Sequence, residues 1–426
     1  MFYCCRTYKV REMQMNYRER REQVFSQMED KSILVLYSGE ALHISADAYH
    51  HFEANRQFFY LTGIRRENMA LVIDKCGDKL EETLFIEPID PSVERWVGKK
   101  MTKEEAKEVS GVENISLIDN LQGTLDRIIN RKLPKKVYFD TYRHQMSDLP
   151  DFNVAKAQAF AAVYPGIAVE NIYPAIAALR MVKDADEVEV IKEAVKVTEE
   201  ALNHVLKTLK PGMMEYQVQA EFEYKVKSLG ADGMAFPTIA GSGINGTMLH
   251  YETNHDVCKE NTLILLDLGA RVKGYNADIT RTYPVSGKFT ERQKQFYNIV
   301  LEANQAVAKE ARPGVTLKDL NDLCKSVLAK GLQELGLIEK EEEVGKYYMH
   351  GVAHHLGIDV HDVTVPEKAK LEPGMIITNE PGLYIDEEEI GIRVEDDLLI
   401  TEDGCVVLSA DIVRTVEEIE EKMKER

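Results

Sequence analysis

Two acidic residues in the middle of the sequence stand where a strand turns back on itself. Apolar residues 263–266 lead directly into Asp267, and Asp278 follows beyond two glycines, as in a buried strand that enters a hairpin. A two-residue loop at 272–273 would set the aspartates opposite each other, and one at 273–274 would set them on a diagonal. Either register puts both carboxylates on one face. Buried carboxylates this close repel each other, and a divalent metal ion would compensate their charge.

A second stretch, near the C-terminus, repeats this arrangement. Apolar residues run into Glu380, an acidic turn spans residues 386–389, and the returning segment carries Glu395. A hairpin centred on residues 387–388 sets Glu380 opposite Glu395. One acidic pair of this kind is also compatible with a solvated turn. Two such hairpins, each with histidines upstream, indicate instead a shared site that binds metal.

The composition of the chain excludes several classes of function. Its 426 residues are enough for two domains, and 44% hydrophobic residues are ordinary for a soluble globular protein. The net charge of −19 argues against a surface for nucleic acid or anionic membranes. The six cysteines lack a CxxC spacing and predict free thiols in a reducing compartment, and no segment resembles a secretory signal or a transmembrane helix. We therefore expect a cytoplasmic protein without a nucleic-acid or membrane partner.

The first part of the sequence alternates strand and helix patterns. Residues 15–173 are predicted to form one α/β domain, after a tail of residues 1–14. The only tryptophan, Trp96, stands in a polar segment of this domain. It is either a surface-packed aromatic residue or the edge of a substrate-binding site or interface. The predicted strands are 32–38, 69–74, 83–86, 115–118 and 136–140, and the predicted helices include 102–109 and 152–163.

The remainder of the chain, residues 174–426, contains one pattern twice. Each half has a helix that ends at a basic-Pro-Gly tripeptide, a second helix, a loop with histidines and an acidic hairpin. The first helix begins at Asp184 in one half and, with a capping box, at Thr290 in the other. This repetition predicts an α+β domain with an internal duplication about a pseudo-twofold axis. Such an axis would bring the four acidic residues into one site.

Several segments resemble a known family, the pita-bread metallopeptidases, and within it the branch of Xaa-Pro aminopeptidase (aminopeptidase P) and prolidase. The segment RQFFYLTG (56–63) extends the resemblance to a creatinase-like N-terminal domain. Gln57 departs from the family pattern, which often has an acidic residue there, and this puts a role of that acid at a subunit contact in question. The matching segments of the second domain are LHYETN (249–254), LLDLGARVKGYNADITRTYPV (265–285), HGVAHHLGIDVHDV (350–363), TNEPGLYI (378–385) and GIRVEDDLLIT (391–401).

The resemblance implies a set of ligands for two divalent metal ions. The ligands would be Asp267, Asp278, His354, Glu380 and Glu395, with Asp278 and Glu395 bridging both ions. None of the five is replaced, which argues against a metal-free relative. Four carboxylates and one imidazole suit hard divalent ions. Manganese is the usual ion of the family, and cobalt, iron or zinc would also fit.

This site predicts a hydrolytic mechanism. A hydroxide that bridges the two ions would attack the carbonyl carbon of the peptide bond before proline, and Glu380 could pass the proton to the leaving nitrogen. The resemblance places His250 and His361 in the substrate pocket, one near the leaving group and the other at the developing oxyanion. His350 is a further pocket candidate. Arg393 could orient a carboxylate or bind a substrate terminus.

Two other functions share these motifs. A prolidase, which cleaves only Xaa-Pro dipeptides, would have the same metal site, and we favour the aminopeptidase on the Trp96 segment and the compact motifs. A pita-bread scaffold that binds peptides without cleaving them is the second. A zinc site of the HExxH type is excluded, because Gly351 replaces the glutamate between His350 and His354. The expected partners are proline-containing peptides and further copies of the chain, in a homodimer or homotetramer.

Overall fold

The computed structural model describes residues 15–425, which form two compact units that divide between Arg180 and Met181. The predicted tail of residues 1–14 lies outside the described residues. Within residues 15–425, no helix combines the length and the apolar character that crossing a bilayer requires.

The first unit is an α/β domain built on a six-stranded mixed sheet. Its described strands are β1 (Ser32–Tyr37), β2 (His43–Ser45), β3 (Ala48–Tyr49), β4 (Ala70–Lys75), β5 (Glu81–Ile86), β6 (Ile115–Leu117), β7 (Lys136–Phe139) and β8 (Ala168–Asn171). Its described helices are α1 (Tyr17–Gln27), α2 (Arg56–Thr62), α3 (Pro91–Val97), α4 (Lys103–Ser110), α5 (Leu121–Lys132), α6 (Phe152–Val163) and α7 (Tyr173–Arg180). The strand order is β6-β5-β4-β1-β7-β8, and β4 alone runs antiparallel to its neighbours. The predicted strands and helices are confirmed to within two residues at each end.

Helices α5 and α6 cover one face of this sheet. Leu125 and Ile129 of α5 and Phe160 of α6 are buried against Val35 and Val137 of the central strands. The spacing of the two α5 residues places them on one side of that helix, facing the sheet. These two helices therefore cover the apolar side chains on this face of the sheet.

The first unit continues for one helix beyond the predicted domain limit at residue 173. Helix α7 packs against α1 and α2, both in the first unit. Its last residue, Arg180, donates a hydrogen bond to the side-chain oxygen of Gln57 at 3.1 Å. The contacts of α7 thus place the division after Arg180.

The second unit contains two pairs of packed helices, as the duplication predicts. The first helix of each pair begins with a capping box, at Asp184 and at Thr290. In each box the cap side chain accepts from the backbone N–H three residues later, and that residue's side chain accepts from the backbone N–H of the cap. The described helices are α8 (Ala185–Thr208), α9 (Glu215–Ser228), α10 (Glu291–Glu310), α11 (Leu317–Glu334) and α12 (Val416–Lys422). Helix α8 packs on α9, and α10 packs on α11.

An antiparallel hairpin follows each helix pair. The described strands of the second unit are β9 (Gly233–Met234), β10 (Ile239–Ser242), β11 (Leu263–Leu268), β12 (Ala270–Val272), β13 (Tyr275–Asn276), β14 (Ile279–Pro284), β15 (Ile376–Asn379), β16 (Gly382–Ile385), β17 (Ile390–Arg393), β18 (Asp396–Ile400) and β19 (Cys405–Val407). Strands β14 and β17 are buried along their whole length. The two hairpins therefore form the core of the unit and hold the acidic residues inside it.

Candidate metal centre

The first acidic hairpin turns at residues 273–274, which is one of the two registers that the sequence left open. Lys273 and Gly274 form its tip with positive φ angles of 49° and 84°, as a type I′ hairpin turn requires. In this register Asp267 lies opposite Thr280. Asp278 is therefore two positions from direct opposition to Asp267, on the diagonal and on the same face.

The second acidic hairpin has the predicted register. The pairs β15–β18 and β16–β17 share one register, and continuing it across the gap between them puts Glu380 opposite Glu395. The tip spans residues 386–389 and is centred where the sequence predicts, with Glu389 at a positive φ of 52°.

The two hairpins pack against each other, as the pseudo-twofold arrangement predicts. The Thr280 hydroxyl donates to Glu395 Oε2 at 2.6 Å, and the Glu395 backbone N–H donates to the Thr280 carbonyl at 3.0 Å. The backbone N–H of Asp278 donates to Asp397 Oδ2 at 3.2 Å. These hydrogen bonds bring acids from both hairpins into one site.

Asp278, His354 and Glu395 form a group that could hold a metal ion. Each presents one ligand atom, and the three atoms lie within 4.8 Å of one another. His354 Nδ1 is 3.0 Å from the carbonyl oxygen of His355, which leaves Nε2 to face the acids. The distance from Nε2 is 3.4 Å to Asp278 Oδ2 and 3.5 Å to Glu380 Oε1. The imidazole and the carboxylates thus converge on one space.

The site has more negative than positive charge. In the described part of the chain, the Oδ1 atoms of Asp267 and Asp278 are buried and accept no hydrogen bond. Burial, with the neighbouring carboxylates, raises the pKa of Glu380 to about 7 and that of Glu395 well above its usual range. Orphaned, converging carboxylate oxygens of this kind fit a divalent cation, which would supply the missing charge.

Arg393 contributes positive charge within the acidic site. Its side chain is 3% exposed and donates to Asp267 Oδ2, to the Thr280 hydroxyl at 3.1 Å and to the Tyr384 hydroxyl at 2.9 Å. The contact with Asp267 corresponds to the first role considered from the sequence, that of orienting a carboxylate. Sequence reasoning missed Tyr384. In the predicted register Tyr384 is diagonal to Arg393 on the same face, and this relation was the available signal.

A cavity of about 530 Å³ lies in front of the acids. It is lined by Asp267, Asp278, His354, Glu380 and Glu395, together with the predicted pocket residues His250, His350, His361 and Arg393. The apolar part of its wall consists of Phe236, Pro237, Ile239, Leu249, Ala353 and Val360. The structure therefore brings all predicted ligand and pocket residues of the second unit together.

Two histidines in the cavity have lowered pKa values, which favours their neutral form. Burial lowers the pKa of His350 to about 4. Its Nε2 lies 2.8 Å from the Tyr384 hydroxyl, and its Nδ1 lies 3.6 Å from Glu380 Oε2. Burial and the adjacent His354, whose ring centroid is 4.1 Å away, lower the pKa of His361. Neutral imidazoles can donate to a developing oxyanion or accept from a substrate N–H.

Trp96 does not line this cavity. It lies on α3 of the first unit, and its side chain is 90% exposed. Trp96 is therefore not packed against the surface of its own unit. The other possibility, that it forms the edge of a substrate-binding site or an interface, stays a prediction.

The loop that carries His250 is fixed by a buried carboxylate at the start of α9. Glu215 accepts from the backbone N–H groups of Ser242 (2.7 Å) and Asp256 (2.9 Å). It also accepts from the hydroxyls of Ser242 and Tyr251, both at 2.8 Å, and from the Asn245 amide at 3.1 Å. Sequence reasoning missed Glu215, because its donors lie 27 to 41 positions away.

Replacing Glu215 by Gln is expected to destabilise the fold and to impair the cavity. The amide nitrogen would face donors, so at least one buried group would lose its partner, at a cost of about 2–3 kcal/mol. Because the loop between Ser242 and Asp256 would loosen, kcat should fall together with the free energy of unfolding. Urea unfolding and peptidase assays would measure both. Glu221→Gln on the same helix, where one hydrogen bond to His204 is at stake, is the matched control and should change stability by less than about 1 kcal/mol. Equal effects of the two variants on stability and kcat would contradict the role of Glu215 in fixing this loop.

Two family models match the chain, one in each unit. Residues 189–402 match the metallopeptidase family M24, and residues 17–138 match the N-terminal domain of aminopeptidase P. The first match contains all five candidate metal ligands.

Relatives of known name match over nearly the whole chain. The chain is 31% identical to the Xaa-Pro aminopeptidase of Escherichia coli, over 96% of this chain and 97% of that protein. Among solved structures, a candidate aminopeptidase P from Bacillus anthracis superposes with a TM-score of 0.94 at 45% identity, covering 96% of this chain and 98% of the other. Aminopeptidase P from E. coli, solved with the inhibitor Pro-Leu, has a TM-score of 0.87 at 31% identity, covering 97% and 98%.

Proposed function

The chain belongs to metallopeptidase family M24, and from this premise we propose that it is a metal-dependent Xaa-Pro aminopeptidase. It hydrolyses the peptide bond between an N-terminal residue and a following proline. The observation that carries this proposal is the convergence of four carboxylates and one imidazole in a cavity of about 530 Å³, a size suited to a short peptide segment. The names of the full-length relatives support the substrate class.

Two divalent cations, most suitably manganese, are held by Asp267, Asp278, His354, Glu380 and Glu395. The donor set of oxygens with one nitrogen and no sulfur suits manganese, and would also accept cobalt, iron or zinc. When bound, the cations supply Lewis acidity and activate water as the nucleophile.

Glu380 is placed to move the proton that hydrolysis requires. In the metal-free protein burial raises its pKa to about 7, and bound cations would favour the ionised carboxylate, which can accept a proton. It would take the proton of the attacking water and give it to the proline nitrogen as the bond breaks. The Thr378 hydroxyl donates to Glu380 Oε1 at 3.2 Å and so fixes one side of the carboxylate. His350 lies on the other side, next to Oε2.

The histidines and the apolar wall bind the substrate. His361 or His250 donates to the carbonyl oxygen that becomes the oxyanion, and the other lies near the leaving proline. His350 is held by Tyr384 and borders Glu380. Arg393 keeps Asp267 in place. The apolar side chains of the cavity wall, such as Phe236, accommodate the proline ring.

The stabilisation by manganese is expected to grow as the pH rises. Asp278 and Glu380 overcome the effect of burial and raise the pKa of His354 to about 9, while burial raises the pKa of Glu380 to about 7. Both folded pKa values lie above the unfolded ones, so the protons stabilise the metal-free protein at low pH, and this stabilisation is lost as the pH passes through about 7 and 9. A cation must displace these protons, so its affinity should rise by up to about tenfold per pH unit for each proton released.

Thermal unfolding with and without manganese at pH 6, 7 and 8 measures this dependence. The increase in Tm caused by manganese should be smallest at pH 6 and largest at pH 8. A pH-independent increase would contradict the linkage of these two residues to metal binding.

A cleavage assay with manganese tests the function. It compares an Xaa-Pro-Xaa tripeptide, an Xaa-Pro dipeptide and an Xaa-Ala-Xaa tripeptide, with chelated enzyme as the blank. The proposal expects metal-dependent cleavage of the proline tripeptide and none of the alanine tripeptide. Cleavage of the dipeptide alone would identify a prolidase, and metal binding without cleavage of any of them would identify a binding scaffold.

The exposed Trp96 borders a substrate-binding site or a contact between subunits of a homodimer or homotetramer. The enzyme acts on proline-containing peptides in the cytoplasm, where its described cysteines, Cys76, Cys258, Cys324 and Cys405, remain free thiols.

A further inference from the structure

The first unit contains a cavity of its own, of about 580 Å³, at one end of its sheet. Tyr37 at the end of β1, Glu87 after β5, Ile118 after β6 and Phe139 at the end of β7 line it. These four strands run in the same direction, because β4 is antiparallel to both β1 and β5. The cavity thus lies outside the carboxyl ends of the strands, where open α/β sheets bind their ligands.

Aromatic side chains form the wall of this cavity. Tyr37 and Phe152 meet edge to face with ring centroids 5.6 Å apart, and Phe160 and Tyr164 lie 5.0 Å apart. Helix α6 contributes two of these four rings, Phe152 and Phe160, and Tyr164 follows directly after its last residue. Helix α5 supplies Leu121, Gln122 and Leu125. The volume falls within the range of roughly 300–1,000 Å³ that small-molecule sites have.

Charged groups of both signs border this cavity, and three of them are exposed to solvent. Within residues 15–425, Lys156, Glu40 and Asp119 have neither an ion pair nor a side-chain hydrogen bond. Lys156 Nζ lies 4.7 Å from the ring centroid of Phe152 and 5.7 Å from that of Tyr37, so it is held over the aromatic wall. Glu87 differs from the other two acids, because Lys100 at 2.7 Å and Asn68 at 3.0 Å already bind it.

Tyr37 adds a hydrogen-bond donor beside Lys156. Burial raises the pKa of Tyr37 to about 12, so its hydroxyl keeps its proton at neutral pH. In the described structure this hydroxyl has no hydrogen-bond partner. Lys156 and the hydroxyl of Tyr37 together suit an anionic oxygen, whereas Glu40 and Asp119 suit a cation.

We propose that this cavity is a second small-molecule site, which binds an apolar α-amino acid or dipeptide as a zwitterion. The ligand carboxylate accepts from Lys156 and Tyr37, the ammonium group faces Glu40 or Asp119, and the apolar side chain packs against Phe152. A phosphate-bearing ligand is disfavoured by the two free acids. A purely apolar ligand would form no ion pair or hydrogen bond with Lys156, Glu40 or Asp119. The inference does not depend on the peptidase activity, because no residue of the second unit takes part.

Isothermal titration with L-phenylalanine on the full-length, manganese-loaded protein tests the proposal. Phenylalanine binding should persist when the metal is chelated, since the residues of this cavity are remote in sequence from every candidate metal ligand. Lys156→Met should weaken phenylalanine binding by about tenfold or more, the loss expected for a hydrogen bond to a charged group. The same variant should leave the binding of phenethylamine, which lacks the carboxylate, within about twofold.

A pair of variants on α6 locates the site. Ala159 lines the cavity and is exposed, and Ala155, one turn earlier and also exposed, does not line it. Ala159→Trp should abolish phenylalanine binding, and Ala155→Trp should retain it. Both variants should keep the peptidase activity of the parent, which shows that they fold. The absence of saturable binding to the parent, or binding that is lost on chelation and unchanged by Ala159→Trp, would overturn the proposal.

Discussion

Replacing Asp278 by Asn is expected to lower kcat/KM for a proline tripeptide by at least about a thousandfold, equivalent to roughly 4 kcal/mol of transition-state stabilisation. Asp278 belongs to the group of three ligand atoms within 4.8 Å. Its Oδ1 is buried and accepts no hydrogen bond from the described residues. The neutral amide has the same shape but removes one negative charge and half of the ligand oxygens, so metal affinity should fall as well.

The stability of this variant separates loss of metal from loss of fold. Without metal, the parent must hold Asp278 beside other buried carboxylates, and its charge raises the pKa of both Asp267 and Glu395. Asp278→Asn relieves this repulsion, so above pH 9, where His354 is neutral and has no ion pair with Asp278 to lose, the metal-free variant should be at least as stable as the metal-free parent.

Three measurements check this expectation: peptidase kinetics over a range of manganese concentrations, metal content, and urea unfolding of the metal-free proteins. Asp411→Asn, at an exposed carboxylate of the same unit, is the control and should leave all three unchanged. A variant that loses activity and also unfolds at lower urea would indicate a structural role for Asp278 instead. Activity above about a tenth of the parent's would show that the site tolerates the loss of this ligand.

The hairpins could be predicted from sequence because their signals are local. Side chains alternate along a strand, so a turn position fixes which residues face each other over the whole hairpin. The sequence left two registers open for the first hairpin, and the positive φ values of Lys273 and Gly274 select one. Once the register is known, the side on which Asp267 and Asp278 lie follows directly.

Long-range contacts could not be predicted from the sequence. Glu215 is an ordinary acid in the first turn of a helix, and nothing nearby indicates that five donors from a distant loop converge on it. Helix α7 is similar, since its assignment to the first unit depends on packing against α1 and α2 rather than on composition. Such contacts are set by the tertiary fold, which overrides local patterns.

Replacing Arg393 by Met is expected to destabilise the metal-free protein by about 3–5 kcal/mol at pH 8, the cost of removing one partner from a buried charge pair. Arg393 binds Asp267, and its charge also opposes the raised pKa values of Glu380 and Glu395. Without Arg393 these acids would take up protons more readily. A lower pH favours the protonated form of these acids in either protein, so the loss of stability should be smaller at pH 5.

Manganese should restore part of the stability lost in Arg393→Met, because the cation replaces some of the missing positive charge. Arg393→Lys should cost less than the Met variant, since it keeps the charge but cannot donate to Asp267, Thr280 and Tyr384 at the same time. Urea unfolding at pH 5 and pH 8, with and without manganese, measures these differences. Arg312→Met, which removes an exposed ion pair with Glu310, is the control and should change stability by less than about 1 kcal/mol. If the loss in Arg393→Met were equal at both pH values and unaffected by manganese, Arg393 would act through packing alone, and the site would not need its charge.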